Sequence, residues 1–238
     1  MGVLTNVGMP VILINKLNLR IYVLVDYCQL LVYNVLLYIN DWWIEYMKKL
    51  YHGTISSGAE NIIKYGINLK HGKPKVDFGQ GFYTTPSFSF AKSTAINRAR
   101  KTNSYNQIYV EPYVLIFEYN ERNAKENCNI LNFTNSNTKW AQFIINNRNG
   151  FEYMNSVGSH FHNINHKYDI VQGSIADNDI VVLSQTLCNL KKKVENEDID
   201  NMIYNYITNQ VSFHTYKSLK YLELTECVII KEKERRCC

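Results

Sequence analysis

Short apolar runs separated by polar segments occupy most of the chain after residue 48. Alternating or β-branched runs predict strands, whereas apolar residues three and four positions apart predict helices. The predicted strands are residues 50–54, 77–85, 108–119, 128–133, 168–176 and 211–215, and the predicted helices are residues 56–66, 87–101, 138–148, 180–193, 198–206 and 218–224. Because the elements show no regular βαβ period and no phosphate-loop glycine pattern, we predict an α+β fold.

The first 48 residues differ from the rest, because residues 21–39 are almost entirely aliphatic and tyrosine. Asp26, Gln29 and Asn34 interrupt this run, and on an insertion scale they offset about eleven Leu, Ile and Val residues. A signal peptide fits poorly, since no small-residue cleavage site follows the run. We expect residues 1–48 to be an apolar appendage, helical and buried or facing a partner. A membrane anchor through residues 21–39 and an unstructured leader remain open alternatives.

Composition limits the compartment and the partners. At 46% hydrophobic residues the chain can form a real core, which we assign to residues 49–226, followed by a charged tail at residues 227–238. The net charge of +5 suits an anionic small molecule, but clustered Lys and Arg of the kind typical of nucleic-acid binders are missing. The six cysteines show no Cys-x-x-Cys spacing, which indicates a reducing compartment, and we expect a cytoplasmic protein.

Two short stretches form the candidate ligand site. Residues 77–85 read Asp-Phe-Gly-Gln-Gly-Phe-Tyr-Thr-Thr, so two glycines give backbone freedom directly before an aromatic pair on a strand. This arrangement would suit a flat ligand, although glycine followed by aromatic residues also occurs in ordinary hairpins. Residues 51–54, Tyr-His-Gly-Thr, lie on the preceding predicted strand and favour the ligand-binding interpretation.

Five motifs in order give the chain a family resemblance. They are Tyr-His-Gly-Thr at residues 51–54, Asp-Phe-Gly-Gln-Gly-Phe-Tyr-Thr-Thr at 77–85, a Trp-x-x-Phe helix with Asn-Arg at 140–148, Asp-Ile-Val-x-Gly at 169–173 and Gln-Val-x-Phe-His-Thr at 210–215. Residues 49–225 resemble the diphtheria-toxin-like and poly(ADP-ribose)-polymerase-like ADP-ribosyltransferases. They resemble in particular a bacterial family of unknown function in that superfamily, with a His-Tyr-Gln motif. The resemblance implies two small antiparallel sheets around an NAD cleft, with flanking helices.

The resemblance also implies NAD as co-substrate, no metal, and a set of site residues. His52 would hold the adenine ribose, the backbone of Gly53 would bind the nicotinamide carboxamide, and Tyr83 would stack on the cationic ring with about 0.5 to 2 kcal/mol. A side chain at position 53 would obstruct the carboxamide. The expected cofactor contacts are completed by Thr54, Gly81 and Arg148. Arg148 would pair with the pyrophosphate, unless it only ends its helix.

The implied reaction breaks the bond between nicotinamide and ribose and moves one ADP-ribose to a macromolecular acceptor, which we expect to be protein rather than nucleic acid. Active relatives carry Glu where this chain has Gln210. A carboxylate about 4 Å from the developing cation would contribute about 4 kcal/mol at an effective dielectric constant near 20, and an amide loses most of this. We interpret Gln210 as a working variant. A silent NAD-binding or protein-interaction module and an NAD glycohydrolase remain alternatives.

Other chemistry-bearing residues favour plain interpretations. His160, His162 and His166 lie in a predicted loop without a nearby thiolate, so we expect no metal site there. We expect His214 to be a satisfied strand histidine and Cys188 to be a buried thiol. The last residues, Arg-Arg-Cys-Cys at 235–238, resemble a lipidation tail, but a frayed terminus is the expected state.

Overall fold

The computed structural model describes residues 47–106, 109–176, 178–200 and 209–231. The predicted appendage lies outside these residues, apart from Met47 and Lys48, which open the first strand. Strands and helices are mixed along the described chain, which confirms the predicted α+β class. The elements are β1 Met47–Ile55, α1 Ser56–Tyr65, β2 Phe82–Thr84, α2 Phe88–Asn106, β3 Pro112–Asn120, α3 Glu121–Asn127, β4 Ile130–Asn132, α4 Thr138–Val157, β5 Ile170–Ser174, α5 Asn178–Leu190, α6 Asn196–Asp200, β6 Asn209–Phe213, α7 Tyr216–Leu219 and β7 Leu222–Ile229.

The strands of the described chain form two small sheets, as predicted. One is three-stranded in the order β1-β3-β7 and antiparallel throughout. The other is four-stranded in the order β2-β6-β5-β4, and its β4–β5 pair is parallel, so the expectation of purely antiparallel sheets was wrong for this pair. Because β1 and β2 lie at the edges of their sheets, their backbone groups on one side are free to meet other partners.

Apolar side chains fill the layers on both sides of the sheets. One cluster joins the two sheets through Leu50, Leu115, Phe117, Phe82 and Phe213. A second cluster packs α4 against the opposite face of the four-stranded sheet, with Trp140, Phe143 and Ile144 at its centre, together with Phe78 and Val171. A third packs Ala91 and Ala95 of α2 onto Val114 and Ile116 of β3. The small alanines let α2 lie close to the three-stranded sheet.

The predicted strand at residues 77–85 is shorter than expected. Only Phe82–Thr84 are a strand, because the chain turns before them and Gly79 has a φ of 88°. The first turns of α1 and α4 are capped differently. Ser56 is already helical and Ile55 precedes it without a side-chain cap, whereas Asn137 rather than Thr138 caps α4 by accepting a hydrogen bond from the Trp140 amide.

The prediction for residues 220–229 was wrong. A helix was expected at residues 218–224, but α7 ends at Leu219 and β7 runs from Leu222 to Ile229. Glu223 therefore pairs with Glu118 of β3 instead of lying on a helix, and the domain continues past residue 226 to the buried Ile230. The alternation of Leu222 and Leu224 is the strand period that the helix prediction missed.

The described helices include none with the length and apolar character that crossing a lipid bilayer requires. The interpretation of residues 21–39 as a possible anchor concerns residues outside the described ranges.

Candidate functional site

The two sheets meet at their edge strands, and their pairing stops within the candidate motifs. Tyr51 of β1 and Thr85 after β2 exchange backbone hydrogen bonds of 2.8 and 2.9 Å in an isolated antiparallel bridge. Continuing this register brings Gly53 opposite Tyr83, but the ladder is not continued between these two described residues. These opposed backbone segments at Gly53 and Tyr83, which form no backbone hydrogen bond with each other, are called the strand gap.

His52 closes one side of the strand gap. Its Nδ1 donates to the carbonyl oxygen of Tyr83 at 2.7 Å, and its ring packs on Phe82 with centroids 4.5 Å apart. Burial first, and the charge of Arg98 second, lower the pKa of His52 from 6.5 to about 4. The imidazole is therefore neutral near pH 7. Because a carbonyl only accepts, Nδ1 carries the proton and Nε2 keeps a lone pair that can accept from a hydroxyl.

Gly53 faces the helix α2 on its Cα side. A Cβ atom at this position would lie 2.0 Å from the carbonyl oxygen of Ala91 and 3.0 Å from the amide nitrogen of Ala95. Position 53 must therefore be glycine for α2 to pack on β1. This is a structural reason for the glycine, separate from the expected approach of a carboxamide. The Gly53 carbonyl accepts a 2.9 Å hydrogen bond from Arg98 and keeps a second lone pair.

Arg98 is the cation at this edge of the three-stranded sheet. Besides its hydrogen bond to Gly53 it has no carboxylate partner among the described residues. Its charge is felt at His52, where it lowers the imidazole pKa. A guanidinium carries five N–H donors, so most of those of Arg98 remain available to an anion.

Tyr83 is held by the glycine turn that precedes it. Its hydroxyl donates to the carbonyl of Gly79 at 2.6 Å and accepts from the amide of Phe78 at 3.0 Å. Its ring meets His214 edge-on, with centroids 6.2 Å apart. Burial and the nearby charge of Asp77 raise the pKa of the Tyr83 hydroxyl well above its usual value. Since the hydroxyl is committed to the turn, any contact of Tyr83 with a ligand must come from the ring.

Asp77 organises a polar cluster behind the turn. Its Oδ1 accepts from Nε and Nη2 of Arg148 at 2.9 and 2.5 Å. Its Oδ2 accepts from the Ala176 amide at 3.3 Å and from Nε2 of Gln210 at 3.1 Å, and its backbone carbonyl accepts from Asn147. Arg148, expected to bind pyrophosphate, is engaged with this carboxylate and would have to leave it to reach a phosphate.

Gln210 lies at the start of β6 and is 7% exposed. Its strand pairs with β2 so that Ser212 is opposite Tyr83, and side chains two residues apart share a face of a sheet. Gln210 and the Tyr83 ring therefore lie on the same face. The bond from Nε2 to Asp77 fixes the amide orientation, and Oε1 has no hydrogen-bond partner among the described residues.

Other predicted contacts face the scaffold. Thr54 is buried under α1, where a Cβ on Gly58 would lie 2.3 Å from its Oγ1. A Cβ on Gly81 would lie 2.6 Å from Nδ1 of His214 and 2.6 Å from the carbonyl of Phe213, so this glycine permits the turn to pack on β6. These positions give Thr54 and Gly81 structural roles in the scaffold around the strand gap.

Two histidines outside the strand gap, His162 and His214, form hydrogen bonds within the protein. His214 is buried, donates from Nδ1 to the carbonyl of Gln80 at 2.9 Å, and accepts at Nε2 from Ser212 at 2.8 Å, which confirms the prediction of a satisfied strand histidine. Burial is the main cause that lowers its pKa to about 4. His162 accepts from the Ile164 amide. In the described ranges no three His, Cys, Asp or Glu side chains come together in a way that could hold a metal ion.

Sequence reasoning missed two residues of this site. Asp77 was predicted only as part of a motif. Its position next to a glycine turn did not indicate its ion pair with Arg148 or its hydrogen bond with Gln210. Arg98 lies near the end of the predicted helix at residues 87–101, where a cation is favoured by the helix dipole alone. A better signal was available, because Ala91, Ala95 and Arg98 follow an i, i+4, i+7 pattern that puts Arg98 on the face of α2 that covers β1.

Comparisons with known proteins place the chain in a family. None of the curated proteins compared with the chain matches it. The model of a family described as a protein of unknown function, DUF3990, matches residues 48–224. This match extends from β1 into β7 and includes the strand gap, the Asp77 cluster and Gln210. Since it covers well over half of the 238 residues, the chain belongs to the DUF3990 family of proteins of unknown function.

Proposed function

We propose that this protein is an NAD-dependent mono-ADP-ribosyltransferase that uses the strand gap to hold nicotinamide. An acceptor nucleophile would attack the anomeric carbon of the nicotinamide ribose, the glycosidic carbon–nitrogen bond would break, and nicotinamide would leave with the bonding electron pair. The acceptor loses a proton, and ADP-ribose remains attached to it.

The observation that supports this reaction most directly is the interrupted ladder between Gly53 and Tyr83. An unpaired strand edge offers an N–H and a C=O side by side, which matches the acceptor and donor of a carboxamide. Tyr51 turns its amide and carbonyl to Thr85, and Gly53, two residues later, turns its own to the same edge. The Tyr83 ring, with its hydroxyl held in the turn, would supply a fixed aromatic face for the ring of the ligand.

The remaining groups suit the other parts of NAD. Neutral His52 would accept a ribose hydroxyl at Nε2, because its Nδ1 is occupied by the Tyr83 carbonyl. Gln210 would accept the nicotinamide-ribose 2′-hydroxyl at Oε1. Arg98 suits the pyrophosphate better than Arg148 does, since Arg148 is engaged with Asp77 and Arg98 has no carboxylate partner in the described chain. The acceptor is proposed to be a protein.

Product analysis after incubation with NAD tests the proposal. Labelled macromolecule together with free nicotinamide is the expected result. Free ADP-ribose with nicotinamide would indicate an NAD glycohydrolase, and saturable NAD binding without either product would indicate a silent binding module. Absence of NAD binding would refute the proposal entirely.

Variants connect the product to the strand gap. Tyr83→Ala should weaken NAD binding by about tenfold, because it removes one aromatic face worth on the order of 1 kcal/mol or more. Gln210→Ala should lower the rate of nicotinamide release. Tyr65→Ala is the matched control, since Tyr65 is 72% exposed at the end of α1. Unchanged NAD binding by Tyr83→Ala, in protein shown to be folded, would contradict the proposed pocket.

A further inference from the structure

We propose that Asp77 supplies the carboxylate of the site and that Gln210 carries its influence to the ribose, so that the two residues together take the place of a single glutamate. This inference rests on the proposed function and adds Asp77 to it as a positioning residue. Asp77 acts through Gln210, because its carboxylate accepts a hydrogen bond from the Gln210 amide and Gln210 lies on the same sheet face as Tyr83.

The hydrogen bonds of Asp77 divide its two oxygens between two tasks. Oδ1 accepts both bonds from Arg148, at 2.9 and 2.5 Å, and so anchors the loop to α4. Oδ2 receives Nε2 of Gln210 at 3.1 Å. A carboxylate can only accept, so the amide nitrogen of Gln210 must face Asp77 and its oxygen must face away. A glutamine without this partner could turn either end towards a ligand.

The orientation matters for the chemistry. A ribose hydroxyl that donates its proton to Oε1 turns its oxygen lone pairs towards the reacting carbon. Their electron density then stabilises the positive charge that develops there. Hydrogen-bonded groups polarise one another, so the Asp77 charge strengthens Oε1 as an acceptor. The carboxylate itself would lie farther from the anomeric carbon than a glutamate at position 210 would, so its direct attraction is weaker. The positive charge of Arg148, which is ion-paired with Asp77, offsets part of this attraction.

Substitution of Asp77 by Asn tests the orientation. The change keeps the size of the side chain but offers Gln210 an N–H or a neutral oxygen in place of a carboxylate. We expect kcat for nicotinamide release to fall about tenfold, with the KM for NAD changed less than twofold. A purely structural role for Asp77 would instead lower the amount of folded protein and leave kcat per folded molecule unchanged.

Exchange of the two side chains provides the rescue. The double variant Asp77→Asn and Gln210→Glu again has one carboxylate and one amide within hydrogen-bond distance. The charge is now at position 210, nearer to the ligand. We expect its kcat to return to the wild-type value or to exceed it. Gln210→Glu alone puts two carboxylates at the present 3.1 Å separation, so it should introduce a new ionisation into the pH profile of kcat.

Asp169→Asn is the matched control. Asp169 is similarly buried, with 15% of its side chain exposed against 10% for Asp77, and it accepts from Thr215 and Asn129 at the other end of β5. It should cost stability without changing kcat. Equal kcat values for wild type and Asp77→Asn, or a double variant no better than Gln210→Ala, would overturn the inference about Asp77. Wild-type protein that releases no nicotinamide would instead overturn the proposed function and this inference with it.

Discussion

Acidification should destabilise the domain through two histidines that are held neutral, His52 and His214. Both have a pKa of about 4 in the folded protein, against 6.5 in the unfolded chain. Because the folded pKa lies below the unfolded one, their contribution to stability is complete above pH 6.5 and is lost as the pH falls from 6.5 towards 4. At about pH 5 both histidines are protonated in the unfolded chain but neutral in the folded protein. This difference lowers the free energy of unfolding by about 2 kcal/mol for each histidine.

The assay is urea unfolding at about pH 7 and about pH 5, with the same measurement on His214→Gln. The variant should be less stable near pH 7, since it loses the bonds to Gln80 and Ser212. Its loss of stability between the two pH values should nevertheless be smaller than that of wild type, by about 2 kcal/mol. His160→Gln is the control, because it also removes a histidine but from an exposed position. If His214→Gln loses as much stability on acidification as wild type does, burial of a neutral imidazole is not the cause.

Two further substitutions test the packing and the charge of the strand gap. Gly53→Ala puts a Cβ 2.0 Å from the Ala91 carbonyl oxygen and should lower the free energy of unfolding by about 3 kcal/mol or more, whereas Gly158→Ala, with no atom within 4 Å of its Cβ, should cost about 1 kcal/mol for its positive φ. Equal costs in thermal or urea unfolding would contradict this contact. Arg98→Gln should weaken NAD binding about tenfold and leave the binding of nicotinamide alone almost unchanged, whereas Lys101→Gln should change neither. Calorimetry that finds both ligands weakened equally would rule out a pyrophosphate role for Arg98.

The sequence was sufficient for much of the fold because its periods are local. The β-branched and aromatic run around Val114 predicts a strand, and β3 is found there; the spacing of Trp140, Phe143 and Ile144 predicts the buried face of α4. Prediction failed where a second element decided the outcome. β7 is a strand because it pairs with β3; the alternation of Leu222 and Leu224 fits a strand, but residues 218–224 do not identify β3 as the partner.

The site was predictable only in part for the same reason. His52, Gly53 and Tyr83 could be proposed together because the motifs that contain them are distinctive. The engagement of Arg148 with Asp77 depends on the packing of α4 against the glycine turn, which brings together residues far apart in the chain. Periodicity along one element carries no information about such a contact, so Arg148 could be predicted as a cation of the site but not assigned to its partner.

The charge balance around Gln210 bears on the choice between an enzyme and a silent module. Asp77 and Arg148 already form one complete ion pair there, and 10% and 23% of their side chains are exposed. A glutamate at position 210 would add a second carboxylate to this partly buried pair, with no further cation bound to it in the described chain, so the two like charges would repel each other. A glutamine at this position can donate a hydrogen bond to Asp77 without adding an uncompensated charge. Gln210 is therefore explained by Asp77, and its presence is not in itself a sign that activity has been lost.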